Sequence, residues 1–347
     1  MEPTGANVTD VWESAQRKYF AVLRHALGKQ VGLLAGLTVL IVFLGITEPI
    51  FLTWGNLTNI AGANSVILIL ALGSTFVIIS GGLDLSIAAA AAAVGMMFGL
   101  LLQAGVNPVL TIVVTLIIGL MLGAFNGVLI SYAKISFLVV TLGTLAVYTS
   151  VALLLNDGAT INVFGYESFQ PIYRFILGNF AGIPYLLMMD VVLVVLAALV
   201  LKYSSFGRKI YAIGSNREAA RLNGINVART TFAVFTLSGL SAGIASIVQV
   251  GRLTGAGPTI DPTLLLTVIA AVLIGGTAYT GGAGGVGGTV LGVIFLGVIQ
   301  NGLTLSGVSS FWRGTVNGFV LIAAVGIGVA RDQGWFSRAR RTKADHV

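Results

Sequence analysis

The stretch VLTIVVTLIIGLMLGAFNGVLI, residues 109–130, decides the fold. Its 22 residues include no charged side chain. Crossing about 30 Å of hydrocarbon at 1.5 Å per residue takes about 20 such residues in a helix. Working outward, the whole 347-residue chain is 56% hydrophobic and only 9% charged. A soluble domain carries roughly a quarter charged residues, so this chain has too little polar surface to cover a core in water. In lipid each backbone N–H and C=O is satisfied inside the fold, which leaves helices or closed barrels. Barrel strands show alternating polarity over roughly ten residues. The apolar runs here are unbroken, and an all-α polytopic membrane protein follows.

The same length rule places about ten transmembrane helices near 31–47, 61–79, 85–102, 108–131, 135–155, 185–201, 231–250, 264–280, 286–304 and 313–330. The third opens with six alanines, Ala88 to Ala93, and small residues allow close helix approach in lipid. It is therefore expected inside the bundle. An even number of spans puts both termini on one side, and cytoplasmic loops are rich in Lys and Arg. The terminal side carries Arg17, Lys18, Arg24 and Lys29, then Lys134, then Lys202, Arg208, Lys209, Arg217, Arg221 and Arg229. The tail adds Arg331, Arg338, Arg340, Arg341 and Lys343, while the opposite side holds Arg174, Arg252 and Arg313. This bias of sixteen to three makes both termini cytoplasmic. It also accounts for the net charge of +7 without a nucleic-acid surface.

Residues 1–30 read as an amphipathic cytoplasmic segment, with Trp12, Tyr19, Leu23 and Ala26 at helical spacing. Residues 31–330 form the membrane domain, with an aromatic-rich external loop at 156–183 and a cytoplasmic loop at 202–229. Residues 331–347 are a basic tail. Cysteine is absent, and the two histidines, His25 and His346, lie in the terminal segments. No metal site or histidine base is expected within the membrane.

The cytoplasmic loop concentrates charge: six of the 26 residues from Ser204 to Arg229 are charged. Within it, 214–225 reads as a short helix, with Asn216 as N-cap, Glu218 against the N-terminal dipole and Gly224 as the left-handed stop. Ala219 and Leu222, three apart, give it a small apolar face. It is either a ridge that fits a groove on another protein or a solvated basic loop.

Glu218-Ala219-Ala220, followed by three residues and Gly224, resembles the coupling-loop signature of importer permeases in the ATP-binding-cassette class. The segment from Phe206 and Gly207 through Arg208 to Gly214 resembles the ribose-type sugar permease family. So do Ser80-Gly81-Gly82-Leu83-Asp84-Leu85-Ser86, Asn56-Leu57-Thr58-Asn59, Asn156-Asp157-Gly158 and Gly275-Gly276-Thr277. The resemblance covers most of 50–330. One departure is the stretch 281–285, all small where relatives often carry a basic residue. The resemblance implies a type II-importer-like permease fold. Two permease chains, alike or different, would join two cytoplasmic ATPase subunits, and an extracytoplasmic solute-binding protein would deliver the sugar. ATP and Mg would sit on the partner ATPase. The chain itself has no Gly-x-x-x-x-Gly-Lys-Ser/Thr phosphate loop, and no cofactor of its own is expected. Gly207, Arg208, Asn216, Glu218, Ala219, Ala220, Arg221 and Gly224 are the expected ATPase-coupling residues.

Candidates for the translocation path are Asn64, Asp84, Ser86, Asn126, Thr141, Thr144, Gln249 and Asn301. Polar groups inside spans either pair between helices or line a polar cavity. Asp84 either caps the third span or lines the exit, and Asp190 is expected at the interface. The expected function is import of a monosaccharide across the plasma membrane. Alternatives are a polyol, a furanosyl signalling molecule, a nucleoside or a branched-chain amino acid. An ion-coupled carrier would place ionisable residues mid-membrane, and none is expected deep in a span. A membrane enzyme would need an acid–base pair or metal cluster.

Overall fold

A computed structural model describes residues 30–259, 261, 263–309 and 311–332. The expected N-terminal amphipathic helix, both histidines and most of the basic tail lie outside the described residues. A helix occupies each position at which a span is expected. These are α1 (Gln30–Thr47), α2 (Trp54–Ile79), α3 (Ile87–Gln103), α4 (Pro108–Ser131), α5 (Phe137–Leu154), α7 (Tyr185–Tyr203), α10 (Val227–Leu253), α11 (Thr263–Ile274), α12 (Val286–Leu305) and α13 (Trp312–Asp332). Seven of them are long and apolar enough to cross a membrane, while α3, α11 and the apolar part of α13 are shorter. Two-residue strands, β1 (Ile161–Asn162) with β4 (Gly255–Ala256) and β2 (Asn179–Phe180) with β3 (Ile183–Pro184), are antiparallel clips between loops.

Helix α4 shows why these residues fold this way in lipid. Val109, Val113, Ile117, Met121 and Phe125 are exposed at every fourth position, whereas Thr111, Thr115, Gly119, Gly123 and Gly127 are buried at the same spacing. The large apolar side chains face outward and the small ones face protein. Without a hydrophobic gain from helix association in lipid, close backbone contact is what holds helices together. A Cβ on Gly119 or Gly123 would strike the backbone of α10 near Phe235, Gly239 and Gly243, and one on Gly239 would strike α4. Helix α10 is the centre of the bundle, packing on α4, α2 and α3. The alanines of α3 are all buried, as expected of a span inside the bundle.

The connecting segments gather at the two ends of the bundle. At one end, the Gly282 amide donates to the Ile79 carbonyl at 2.8 Å. At the other, Trp54 Nε1 donates to the Gly182 carbonyl at 3.2 Å and Ser168 Oγ to the Leu102 carbonyl at 2.7 Å.

Two expectations are corrected, the end of one span and the place of Asp190, and two helices are added within the loops. The span at 264–280 ends at Ile274, because Gly275 packs against Gly288 and Gly276 takes φ +91°. The external loop contains α6 (Gln170–Leu177), whose Ile172 and Ile176 are buried; Ile176 fits against Gly251 of α10. A second cytoplasmic helix, α8 (Ser205–Ser215), precedes the expected one. Asp190 is not interfacial: it is 3% exposed within α7 and accepts a 2.8 Å hydrogen bond from Ser65 Oγ. A carboxylate can sit within a predicted span because α2 supplies a donor for it.

Candidate functional site

The cytoplasmic element is assembled by a relay of side-chain caps. Ser204 ends α7 and starts α8, its Oγ accepting from the Gly207 amide at 3.0 Å. Gly207 fits only without a Cβ, which would strike the Leu201 carbonyl. Ile210 and Ile213 of α8 are buried, and Phe206 stacks on Phe76 at 6.4 Å. Asn216, in extended backbone, then caps α9 (Arg217–Leu222) by accepting from the Ala219 amide at 2.9 Å. Gly224 closes α9 at φ +79°, with the Ile225 amide bonded back to the Ala220 carbonyl at 3.1 Å. Such a left-handed glycine stop satisfies the last carbonyls of a helix. Asn226 caps α10 through the Arg229 amide at 2.9 Å.

On α9, Arg221 donates to both carboxylate oxygens of Glu218, at 3.1 Å from Nε and 2.6 Å from Nη2. These bonds hold the Glu218 carboxyl below its ordinary pKa and raise that of Arg221. Ala219 is exposed, and Leu222 is 76% exposed. Ala220 is covered by the chain's own packing, so it seats α9 and presents no surface. Arg208 is exposed and donates to the Tyr203 carbonyl at 3.4 Å. Tyr211 lies half-buried on the inner side of α8, and burial raises its pKa.

The structure divides the eight path candidates into three groups. Asp84, Ser86 and Asn126 form one buried network at the cytoplasmic end of α3. Asp84 Oδ1 accepts from the Ser86 amide at 3.0 Å and from Ser86 Oγ at 2.6 Å, and Oδ2 accepts from Ser238 Oγ at 2.7 Å. Asn126 Nδ2 donates to Ser86 Oγ at 2.8 Å, and Tyr148 Oη donates to the Leu122 carbonyl at 2.9 Å beside it. The N-cap position of α3 belongs to Ser86. Asp84 stands two residues before Ser86 and is the acceptor at the hub of the network. Thr141 and Thr144 are buried on α5 and bond back to their own helix, at the Phe137 and Val140 carbonyls. Hydroxyls so spent act as helix packing.

Asn64, Gln249 and Asn301 come together around a cavity of about 560 Å³ in the outer half of the bundle. Asn64 Nδ2 donates to the Ile60 carbonyl at 2.8 Å, and Gly297 lacks the Cβ that would strike its amide. Asn301 and Asn56 exchange hydrogen bonds at 3.0 and 2.9 Å, joining α12 to α2. Asn59, Arg252, Asp261 and Gln300 also line the cavity. Sequence reasoning used Arg252 only as an orientation marker and missed Ser238, Tyr148, Tyr211, Ser204 and Asn226. Ser204 and Asn226 carry the local N-cap signal, whereas nothing in local spacing distinguishes Ser238 or Tyr148 from other polar residues in apolar runs.

Comparison with known proteins accords with this architecture. Residues 56–325 match the family described as branched-chain amino acid transport system / permease component. The chain is 38% identical to the ribose import permease protein RbsC of Bacillus subtilis (strain 168), over 86% of this chain and 92% of that one. It is 32% identical to the D-allose transport system permease protein AlsC of Escherichia coli (strain K12), covering 84% and 89%. The xylose transport system permease protein XylH of the same strain is 30% identical, covering 83% and 88%. Among solved structures, an ABC transporter described as metal-chelate type, in an inward-facing conformation, superposes with a TM-score of 0.52. At 18% identity over 88% of this chain and 99% of that one, it shares the fold. The match over residues 56–325 and the relatives at 30% to 38% identity show that the chain belongs to the family described as branched-chain amino acid transport system / permease component.

Proposed function

We propose that this chain is the membrane-spanning permease of a monosaccharide importer driven by ATP on a partner subunit. The observation that carries this is α9: a short helix capped at both ends, with Leu222 and Ala219 bare and the Glu218–Arg221 pair beside them. An apolar side chain held on a rigid ridge in water suits a groove on a cytoplasmic ATPase. The choice of sugar draws on the names of the relatives, which import ribose, allose and xylose.

In this reading α9, with Arg208, docks on the ATPase that carries ATP and Mg. Ala220 and Gly207 hold the ridge in place. A second permease chain completes the pore, and a solute-binding protein delivers the sugar at the opposite end. The path runs along α10, from Gln249 and Arg252 in the outer cavity to Ser238 at the Asp84 network. Ser238 and Gln249, eleven positions apart, are separated by about 16 Å along the helix. Asp84 Oδ2, the network oxygen that meets α10, is engaged by the neutral Ser238 hydroxyl, which suits a passage for an uncharged solute.

Purification with the native ATPase and binding protein tests the proposal. ATP hydrolysis should rise when ribose-, allose- or xylose-loaded binding protein is added, and Glu218→Lys should abolish that rise while the permease still inserts. Stimulation by leucine-loaded binding protein instead would move the substrate to amino acids.

A further inference from the structure

The connection before α7 ends in a small hairpin with an exposed apolar face. Its strands β2 and β3 pair Asn179 with Pro184 and Phe180 with Ile183. The two turn residues, Ala181 and Gly182, take φ +51° and +82°, as a tight turn of the primed type I′ requires. Residues directly opposite in a hairpin share a face, and neighbours along a strand alternate. Phe180 and Ile183 therefore stand side by side on one face, with Asn179 on the other. Phe180 is 64% exposed, and Ile183 is exposed beside it. Trp54 Nε1 donates to the Gly182 carbonyl at the turn, and the Tyr185 amide donates to the Gly178 carbonyl at 3.0 Å. Tyr185 stacks on Phe175 at 5.7 Å. These contacts bring three exposed aromatic side chains, Trp54, Phe175 and Phe180, to one rim.

Helix α7 sets the level of that rim. Its 19 residues make a rod about 28 Å long, close to the hydrocarbon thickness of about 30 Å. One end of α7 thus lies at each boundary of the hydrocarbon. Helices α8 and α9 follow its Tyr203 end, and the hairpin directly precedes its Tyr185 end. Met188, Val192, Val195 and Leu199 form an exposed apolar stripe along α7, so this face meets lipid and the hairpin adjoins it. Charge points to the same partner. From Gln170 to Met189 the one charged residue is Arg174, in the last turn of α6. Aromatic rings beside a single cation and no carboxylate suit the headgroup layer, where rings sit at the acyl boundary and a guanidinium meets phosphate.

We propose that the hairpin 179–184, with Trp54 and Phe175, is a lipid anchor that inserts Phe180 and Ile183 into the leaflet remote from α9. Arg174 lies beside them at the level of lipid phosphate. Asn179, on the opposite face of the hairpin, stays in water. The same segment joins α7 to α6, whose Ile176 packs against Gly251 of α10. The anchor therefore fixes the height of these loops against the membrane, whichever solute the permease moves.

The chain contains no cysteine, so Phe180→Cys, Ile183→Cys and Asn179→Cys each supply a single thiol for a nitroxide label. Val195→Cys, on the exposed stripe of α7, supplies a reference inside the bilayer. Each labelled full-length chain is joined to its ATPase partner and returned to liposomes of phosphatidylcholine and phosphatidylglycerol. Power saturation reads collisions of the label with oxygen, which concentrates in lipid, and with a water-soluble nickel chelate. Labels at positions 180 and 183 should favour oxygen, as the Val195→Cys label does, at a depth of about 5–10 Å. The label at position 179 should meet the nickel chelate about threefold more often than the label at 180. Adding the solute-binding protein should change neither result. Equal nickel access at positions 179 and 180 overturns the anchor. A label at 180 that loses mobility when the solute-binding protein is added also overturns it, because the face then docks a protein. A label at 180 shielded from both reagents does the same, since a second permease chain then covers the face. If Phe180→Cys fails to insert, Ile183→Cys on the same face decides.

Discussion

Tyr211 Oη donates a 2.9 Å hydrogen bond to the Gly284 carbonyl, which ties α8 to the turn between α11 and α12. Around this bond three backbones meet. A Cβ on Gly214 would strike the Ile79 carbonyl and the Gly282 amide, and one on Gly281 would strike Gly81 and Gly214. These contacts join α8 to the end of α2 and to the turn after α11, and α2 leads into the turn bearing Asp84. The all-small stretch 281–285 is a contact within the chain.

Tyr211→Phe removes that bond and nothing else. A net loss of about 1 kcal/mol should lower transport per ATP hydrolysed roughly fivefold while ATPase activity persists. Simultaneous measurement of uptake and phosphate release in proteoliposomes checks it; an unchanged ratio would show that the bond carries no motion.

Asn216 caps α9 with one side-chain oxygen. Asn216→Ala should destabilise the helix by about 1 kcal/mol and weaken ATPase binding roughly fivefold, and Asn216→Asp should preserve it. Titration of the purified permease with the ATPase subunit gives the affinity for each.

The α4–α10 contact predicts opposite outcomes at two glycines. Gly239→Ala forces backbone against backbone and should cost about 1–3 kcal/mol or more, seen as a lower thermal unfolding temperature in detergent. Gly143→Ala, on α5 with open space around it, should be neutral or slightly stabilising through helix propensity.

Ser238→Ala leaves one oxygen of Asp84 without its donor inside the bundle, which should cost about 1–3 kcal/mol. Ser246→Ala removes a hydroxyl that bonds only to its own helix, at the Gly243 carbonyl, and should cost far less. Thermal unfolding of the two variants side by side separates a network donor from a packing hydroxyl.

The Glu218–Arg221 pair sets a pH window. Because Arg221 depresses the Glu218 pKa, the pair's contribution is complete above the ordinary glutamate value of about 4.3. It is lost only as pH falls through the lower folded-state value. The ratio of ATPase affinities for wild type and Glu218→Gln should thus be constant from about pH 6 to about pH 8. A ratio that changes across that window would contradict the bidentate pair.

Several features were legible in the chain because they depend on local or one-dimensional physics. Apolar run length fixed the helices, and Asn216 and Gly224 marked the ends of α9. Helix α8 was harder to see, since its buried face of Ile210 and Ile213 is short and its partners are spread over α2, α7 and α10. Asp190 was misplaced for a similar reason: its position near the start of a span suggests the interface, and Ser65, its donor, is 125 residues away in the chain.

The amino-acid order alone determined that this protein lives in lipid as a helical bundle with a capped cytoplasmic ridge, because hydrocarbon thickness, loop charge and helix capping act along a single segment. Only the tertiary structure decided which polar residues meet. It gathered Gln249, Arg252 and Asn64 at one cavity, bound Asp84 to Ser238, and turned the Thr141 and Thr144 hydroxyls back onto their own helix. Those outcomes follow from which helix faces are small enough to touch, as at Gly119 and Gly239, and a contact between faces is a property of pairs of segments that no single stretch contains.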